Sequence, residues 1–417
     1  MICLVTAQTS LFEGANYTAL SVQDSIKMME SWPLVQVDSE TSGRNPRLCD
    51  ILCIQFGNDE ADTRIVVDTT TVDIRLYKNI LENRLCILHN AKFDLQFLYN
   101  FGIIPRRLYD TMIAEQLLYL GWPVGKISYA LNSVAERRLG INIDKTVRGE
   151  IIWRGLDSRV IEYAAGDVTY LERIMWSQIN EMKRKDLMRA AKIEFDFIPA
   201  IAYLEWCGIH LDQKKWKNKM ASDQKKLEEA KEMLNKFVES REDLREYVEI
   251  NNQGDLFTGF DTSPKCNVNW NSSIQVVKLA KKLGFDTSVK DKKTGEDKNS
   301  VLEKHLKKQK GVCDEFLELY FDYQEHFKTT TSFGEGHLNA VNPKTDRIHT
   351  VYRQLGTASG RMSCGSQQPD TDLAKYKKLK PSDCTFPNIQ QLPHDEVTRA
   401  CFTAPEGYEW CSCDYSA

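Results

Sequence analysis

No apolar run in this chain of 417 residues is long enough to cross a bilayer, so nothing in it reads as a membrane helix. The start, "MICLVTAQTSLFEG", lacks the basic n-region and the small-residue cleavage site of a signal peptide. Twelve cysteines are scattered without a CxxC pair, and the close pairs Cys49/Cys53 and Cys411/Cys413 have no His or Cys partners at zinc-finger spacing. Free thiols in a reducing cytoplasm are the expectation. Internal repeats and low-complexity tracts are also missing, which excludes a solenoid. What is there is globular in composition, 42% hydrophobic and 27% charged. The length exceeds one ordinary core, so two or more domains are expected.

A net charge of −4 hides an uneven distribution. Residues 278–310 hold eleven lysines against five acidic residues. A basic segment on an acidic protein suits a nucleic-acid grip or, equally, a solvated helix face. Residues 1–187 alternate strand-like runs ("LVQV", 34–37; "ILCIQFG", 51–57; "RIVVD", 64–68; "LCILH", 85–89) with helical patterns at 71–82, 92–100, 111–119, 128–139 and 158–182. That order predicts an α/β domain with a mixed sheet. Residues 213–250 form a long, highly charged helical stretch whose sparse apolar positions read as a protruding helix or hairpin. From 330 onward Gly, Thr, Ser and Pro recur between short apolar runs, so strands and loops return.

"LVQVDSE" (34–40) ends an apolar strand on two carboxylates. Strand alternation points Asp38 and Glu40 to one face and Ser39 to the other. Two ionised carboxylates about 4 Å apart repel by roughly 4 kcal/mol at an effective dielectric near 20, a cost that a bound cation removes. "LHNAKFDLQFL" (88–98) places Asn90 before a helix and Asp94 in its first turn. "IEYAAGDVTYL" (161–171) places Tyr163 and Asp167 on one helix face. Each segment alone has an ordinary reading: surface carboxylates, a helix-start acid, a core aromatic.

Together, D-x-E, N-x-x-x-[FY]-D and Y-x-x-x-D resemble the DEDD exonucleases, in the subclass whose last motif carries Tyr; the His subclass would need His where Glu162 stands. The resemblance implies a ribonuclease H-like fold. It implies that Asp38, Glu40 and Asp167 hold the metal carrying the nucleophilic water, and that Asp38 bridges to a second metal. It implies that Asp94 completes the site through a metal-bound water and that Tyr163 orients the attacking water. With an ordinary pKa of about 10, a tyrosine is no base at neutral pH. Hard oxygen ligands select Mg²⁺ or Mn²⁺, and two such ions suit an in-line displacement.

The second half resembles the family A DNA polymerases. "IEFDFIPAIAYLEWCGIHLD" (193–212) is similar to the family's entry to the thumb, and "NVNWNSSIQVVKLAKKLGF" (267–285) to a thumb segment. "KTDRIHTVYRQLGTASGRMSC" (344–364), "FPNIQQLP" (386–393) and "RACFTAPEGYEWCSCDYS" (399–416) look like successive palm motifs. This implies a proofreading 3′–5′ exonuclease at 1–187, a mainly helical thumb at 188–325 and a partial palm at 326–417. Arg361, Asn388 and Gln390 would lie near the primer–template, and Asp414 would be the first carboxylate of the polymerase site. Asn90, Lys281 and Lys282 would join the DNA contacts. Two departures stand out: an extra segment, "CGSQQPDTDLAKYKKLKPSDCTF", between Ser363 and Pro387, and an end at "DYSA" before the family's fingers. They imply a phage-like, split or truncated polymerase in the cytoplasm of a bacterium or a phage-infected cell. A second polypeptide would carry the rest of the palm and the fingers. The competing readings are a ribonuclease D-like exoribonuclease and a non-catalytic DNA-binding subunit.

Overall fold

The computed structural model describes residues 1–12, 16–123, 125, 127–143, 150–250, 264–291 and 295–411. Seven strands, β1 (Ile2–Val5), β2 (Thr18–Ala19), β3 (Leu34–Thr41), β4 (Ile51–Asn58), β5 (Thr63–Asp68), β6 (Leu85–Leu88) and β7 (Arg107–Asp110), form one sheet in the order β2-β1-β5-β4-β3-β6-β7. Strand β4 runs antiparallel to β3 and β5, and all other neighbours are parallel. The four runs read as strands are β3 to β6. Strands β1, β2 and β7 were not anticipated: β1 is only four residues at the start of the chain, and two residues, or two apolar residues among four ("RLYD"), are too short a signal.

Alternation along the strands separates the two faces. Cys3, Val5, Ile54, Phe56, Ile65, Val67, Cys86 and Leu88 enter one core cluster with Leu95 and Leu98 of α3 (Ala91–Tyr99). Leu4, Cys53 and Val66 turn the other way, against Ile161, Ala164 and Ala165 of α7 (Ser158–Asp167), while Ile87 leaves Cys86 and Leu88 for a third cluster. Helices therefore cover both faces of the sheet, as parallel strands require. The remaining helices of this part are α1 (Val22–Glu30), α2 (Lys78–Asn83), α4 (Thr111–Leu118), α5 (Leu131–Leu139), α6 (Ile151–Arg154), α8 (Leu171–Arg184) and α9 (Met188–Cys207). The single helix expected over 158–182 is two, α7 and α8. The break falls after Gly166, at the β-branched Val168 and Thr169, all weak helix formers.

Two compact units emerge. One comprises Met1–Leu211, Asn339–Pro393 and Phe402 onward; the other comprises Asp212–Leu338 and His394–Cys401. Helix α9 belongs to the first, where Ile198 and Ala202 enter the core beside α3. In the second, α10 (Gln213–Glu239) is not a bare protruding helix. Its Leu227, Ala230, Leu234 and Phe237 form one buried stripe, packed with Val276 and Leu279 of α11 (Ser273–Lys282) and with Phe316, Leu317, Tyr320 and Tyr323 of α12 (Asp314–Ser332). One apolar residue per turn suffices when the partner helix is aromatic-rich. Among the described residues no helix is long and apolar enough to cross a membrane.

Candidate metal centre

Residues directly opposed on neighbouring strands share a face. Asp38 opposes Gln55, and Glu40 opposes Cys53. All four therefore face α7, which carries Tyr163 and Asp167 and is started by Asp157, whose carboxylate accepts from the Val160 amide at 2.9 Å. On this face Asp38, Glu40 and Asp167 each offer a carboxylate oxygen, and the three oxygens lie within 4.8 Å of one another. The side-chain amide of Gln55 donates to Asp38 Oδ2 at 2.9 Å. Cys53, buried between the strands, has its thiol pushed well up, first by burial and then by Glu40 and Asp38, so it stays neutral beside the carboxylates. Tyr163 is half-buried at the edge of the cluster that anchors α7.

Asp94 stands outside the group of three. Ser39, on the opposite face of β3, donates its hydroxyl to Asp94 Oδ1 at 2.5 Å. Burial pushes the Asp94 carboxyl up to about 7, opposed by the Ser39 hydrogen bond and reinforced by Asp110 and Glu40. Asn90 takes a left-handed conformation (φ 67°) at the start of α3. Its amide and that of Ala91 donate to Asp110, at 3.0 and 2.7 Å, while Asp110 also caps α4 by accepting from Met112 and Ile113, at 2.8 and 3.2 Å. One buried carboxylate thus starts two helices. Sequence reasoning missed the site roles of Gln55, Ser39 and Asp110. The signal for Gln55 was present, a polar residue in the apolar strand "ILCIQFG"; the pairing register that aims it at Asp38 was not.

The polymerase-like candidates are placed less tightly. Exposed Arg361 sits in a turn in which its amide donates to Thr357 Oγ1 at 3.0 Å. Asn388 Oδ1 accepts from the amide of Gln390 at 3.1 Å, so Asn388 has the turn role as well. Neighbours of all three, Met362 and Ile389, pack on one small cluster with Ile201, Tyr352 and Cys364. Lys281 and Lys282 end α11, and Lys282 pairs with Glu246 at 3.2 Å. Asp414 lies outside the described residues. Glu194 and Glu205, both within the 193–212 motif, hold the 350s. Gln354 donates to Glu194 Oε2 at 2.6 Å, while the Tyr352 amide and Lys92 Nζ both donate to Glu205 Oε1 at 2.6 Å.

A mixed sheet covered on both faces, with carboxylates of β3 and α7 gathered on one face, defines an exonuclease-type α/β domain. The comparisons agree: residues 17–182 match the family of 3′–5′ exonuclease domains, and residues 260–417 match DNA polymerase family A. The chain belongs to the family A DNA polymerases and carries their 3′–5′ exonuclease domain. It is 26% identical over 420 residues to DNA polymerase I of Aquifex aeolicus, covering 95% of this chain and 60% of the relative. It therefore spans less than two thirds of that relative's length. Ribonuclease D of Sphingobium indicum is 31% identical over 157 residues, only 36% of this chain and 39% of that protein, so this likeness is limited to the nuclease part. The polymerase domain of Pol1 from M. smegmatis, in complex with DNA primer-template and dNTP, superimposes with a TM-score of 0.66 at 17% identity. That match covers 97% of this chain and 59% of that one, and it supports the fold.

Proposed function

We propose that this chain is a metal-dependent 3′–5′ exodeoxyribonuclease within a DNA polymerase, removing nucleotides from a DNA 3′ end. The observation that carries the reading is the convergence of Asp38, Glu40 and Asp167 within 4.8 Å inside the exonuclease-type sheet. An all-carboxylate donor set fits a hard divalent cation, Mg²⁺ or Mn²⁺, and the proposal includes two of them. When bound, such ions supply Lewis acidity to the scissile phosphodiester. The chain's own residues do the rest. Asp38, Glu40 and Asp167 hold the ions, Gln55 fixes the rotamer of Asp38, Asp94 supports the site from α3, and Tyr163 orients the attacking water.

The proposal extends to the second half. Residues 188–325 act as a thumb and 326–417 as part of a palm, with Arg361, Asn388 and Gln390 beside the primer–template and Asp414 as a polymerase carboxylate. Lys281 and Lys282 grip duplex phosphates.

The test is digestion of 5′-labelled single-stranded DNA with Mg²⁺ or Mn²⁺, against an RNA of the same sequence. Stepwise loss from the 3′ end of the DNA, abolished by Asp38→Ala or Asp167→Ala and slowed by Tyr163→Phe, supports the reading. Full activity in Asp38→Ala overturns it, and preference for RNA favours the ribonuclease D-like alternative.

A further inference from the structure

The extra segment 364–386 is built into the nuclease part. Gly365 turns the chain at φ 84°, where any side chain would press on the Asn388 backbone at 3.0 Å. Ser366–Pro369 then pairs with Thr385–Phe386, and Leu373, Ala374 and Cys384 close a small core on Leu48. Leu48 lies in the turn joining β3 to β4, the two strands that carry Asp38, Glu40 and Gln55. Two carboxylates of the segment grip that turn. Asp372 Oδ2 accepts the amides of Arg44 and Asn45 at 2.7 and 2.9 Å, and buried Asp370 accepts from Asn45 Nδ2 at 2.8 Å.

The same segment steers two cations. Its Pro369 carbonyl and Thr371 hydroxyl lie 3.4 and 3.5 Å from Arg44 Nη2, and Ser366 Oγ accepts from Arg353 Nη2 at 3.1 Å. Arg44 and Arg353 line a cavity of about 560 Å³ whose wall also holds Asn90, Phe93, Trp122 and Phe386. The three metal-site carboxylates do not line it. Asp38 and Glu40 sit in the last half of β3, parallel and adjacent to β6, whose chain runs on into Asn90 at the cavity wall, and Asp167 ends α7. Cations beside aromatic faces are the chemistry that holds single-stranded nucleic acid, by phosphate contacts and base stacking.

We propose that the segment 364–386 is a positioning strap for the nuclease, which through Asp370 and Asp372 fixes the β3–β4 turn and presents Arg44 and Arg353 to a single strand entering this cavity. The inference rests on the nuclease reading above. Asp370 and Asp372 are positioning residues; they act through the turn and touch no reacting atom.

Two substrates separate strand positioning from chemistry: a 5′-labelled single-stranded oligonucleotide and thymidine 5′-monophosphate p-nitrophenyl ester, which is too small to reach along the cavity. In the full chain with Mn²⁺, Asp372→Ala should raise KM for the oligonucleotide about tenfold, the scale of one lost charged hydrogen-bonded contact. Turnover of the ester should change by less than about twofold on that same reasoning. Asp372→Asn retains an oxygen acceptor for the two amides and should restore most of the KM. Asp383→Ala, in the same segment but with its carboxylate accepting from Ser382 and not from the turn, should match the parent. If Asp372→Ala does not fold, Asn45→Ala removes the other clasp from the nuclease side and should show the same split. An unchanged KM, or equal losses on both substrates, overturns the strap. Hydrolysis of neither substrate by the parent chain overturns the nuclease reading instead.

Discussion

Gln55 donates its side-chain amide to Asp38 Oδ2 from the directly opposed position on β4. The pair is the point at which sheet register becomes site chemistry. With no exposed surface, Gln55 cannot swing away to solvent, so it leaves Asp38 one preferred rotamer. Partners that orient a metal-ligating carboxylate typically contribute 10–100-fold in metal affinity or activity.

Gln55→Leu should therefore leave the fold in place and raise the Mn²⁺ concentration needed for half-maximal nuclease activity by about 10–100-fold. A metal titration of single-strand digestion reads this directly. An unaltered metal requirement would show that Asp38 is oriented by something else.

Asp110 should govern stability more than chemistry. Its carboxylate accepts four backbone amides across the starts of α3 and α4. A helix cap contributes about 1 kcal/mol, so Asp110→Ala should cost about 2 kcal/mol. Asp110→Asn, which keeps one acceptor oxygen, should cost about half as much. Urea unfolding monitored by far-UV circular dichroism distinguishes the two, and equal midpoints for Ala and wild type would contradict the double cap.

The sequence made the sheet legible because its strands are apolar and β-branched, and it made Asp38, Glu40 and Asp167 legible because each sits at a motif spacing. It could not show that Ser39 donates to Asp94 on the face away from the other three. That separation follows from Ser39 facing α3 while its neighbours face α7, and facing depends on which helix packs on which side. The strap was visible only as extra length. Its grip on Arg44 and Asn45 spans more than 320 residues of chain, and no local pattern encodes a contact of that range. The long α10 was misread because propensity and charge dominate its composition, whereas burial depends on one sparse stripe meeting an aromatic partner.

Glu205 supplies a test of the 193–212 motif. Buried in α9, it accepts from Lys92, from Gln96 at 2.7 Å and from the Tyr352 amide, and its own carbonyl accepts from Arg47 at 2.9 Å. Glu205→Ala deprives Lys92 of its counter-charge, leaving it only the Tyr352 carbonyl, and strands a buried amide. Breaking a buried ion pair on one side typically costs about 3–5 kcal/mol. Glu205→Gln keeps an acceptor for Tyr352 and should cost clearly less. If both variants unfold at the wild-type denaturant midpoint, the motif glutamate is not what holds the 350s.

Acid stability should depend on His337. The ring lies 4.8 Å from Trp216 and 5.9 Å from Phe333, with Lys219 buried nearby. Burial, then the Lys219 charge, lowers its pKa to about 4 from 6.5. Its Nε2 has no hydrogen-bond partner among the described residues. The folded state thus keeps this imidazole neutral, while the unfolded chain takes up its proton once the pH falls below about 6.5. The stability linked to His337 is therefore complete above pH 6.5 and is lost as the pH falls through about 4. Its upper bound is on the order of 3 kcal/mol. His337→Phe keeps the ring between Trp216 and Phe333 and carries no titrating group. The fall in thermal midpoint between pH 7.5 and pH 5 should accordingly be smaller in the variant than in the parent. His349, lowered to about 3 by burial and by Arg47, retains its own share of the acid sensitivity in both proteins. Identical pH profiles for parent and variant would mean that His337 is already paired or solvated in the folded protein.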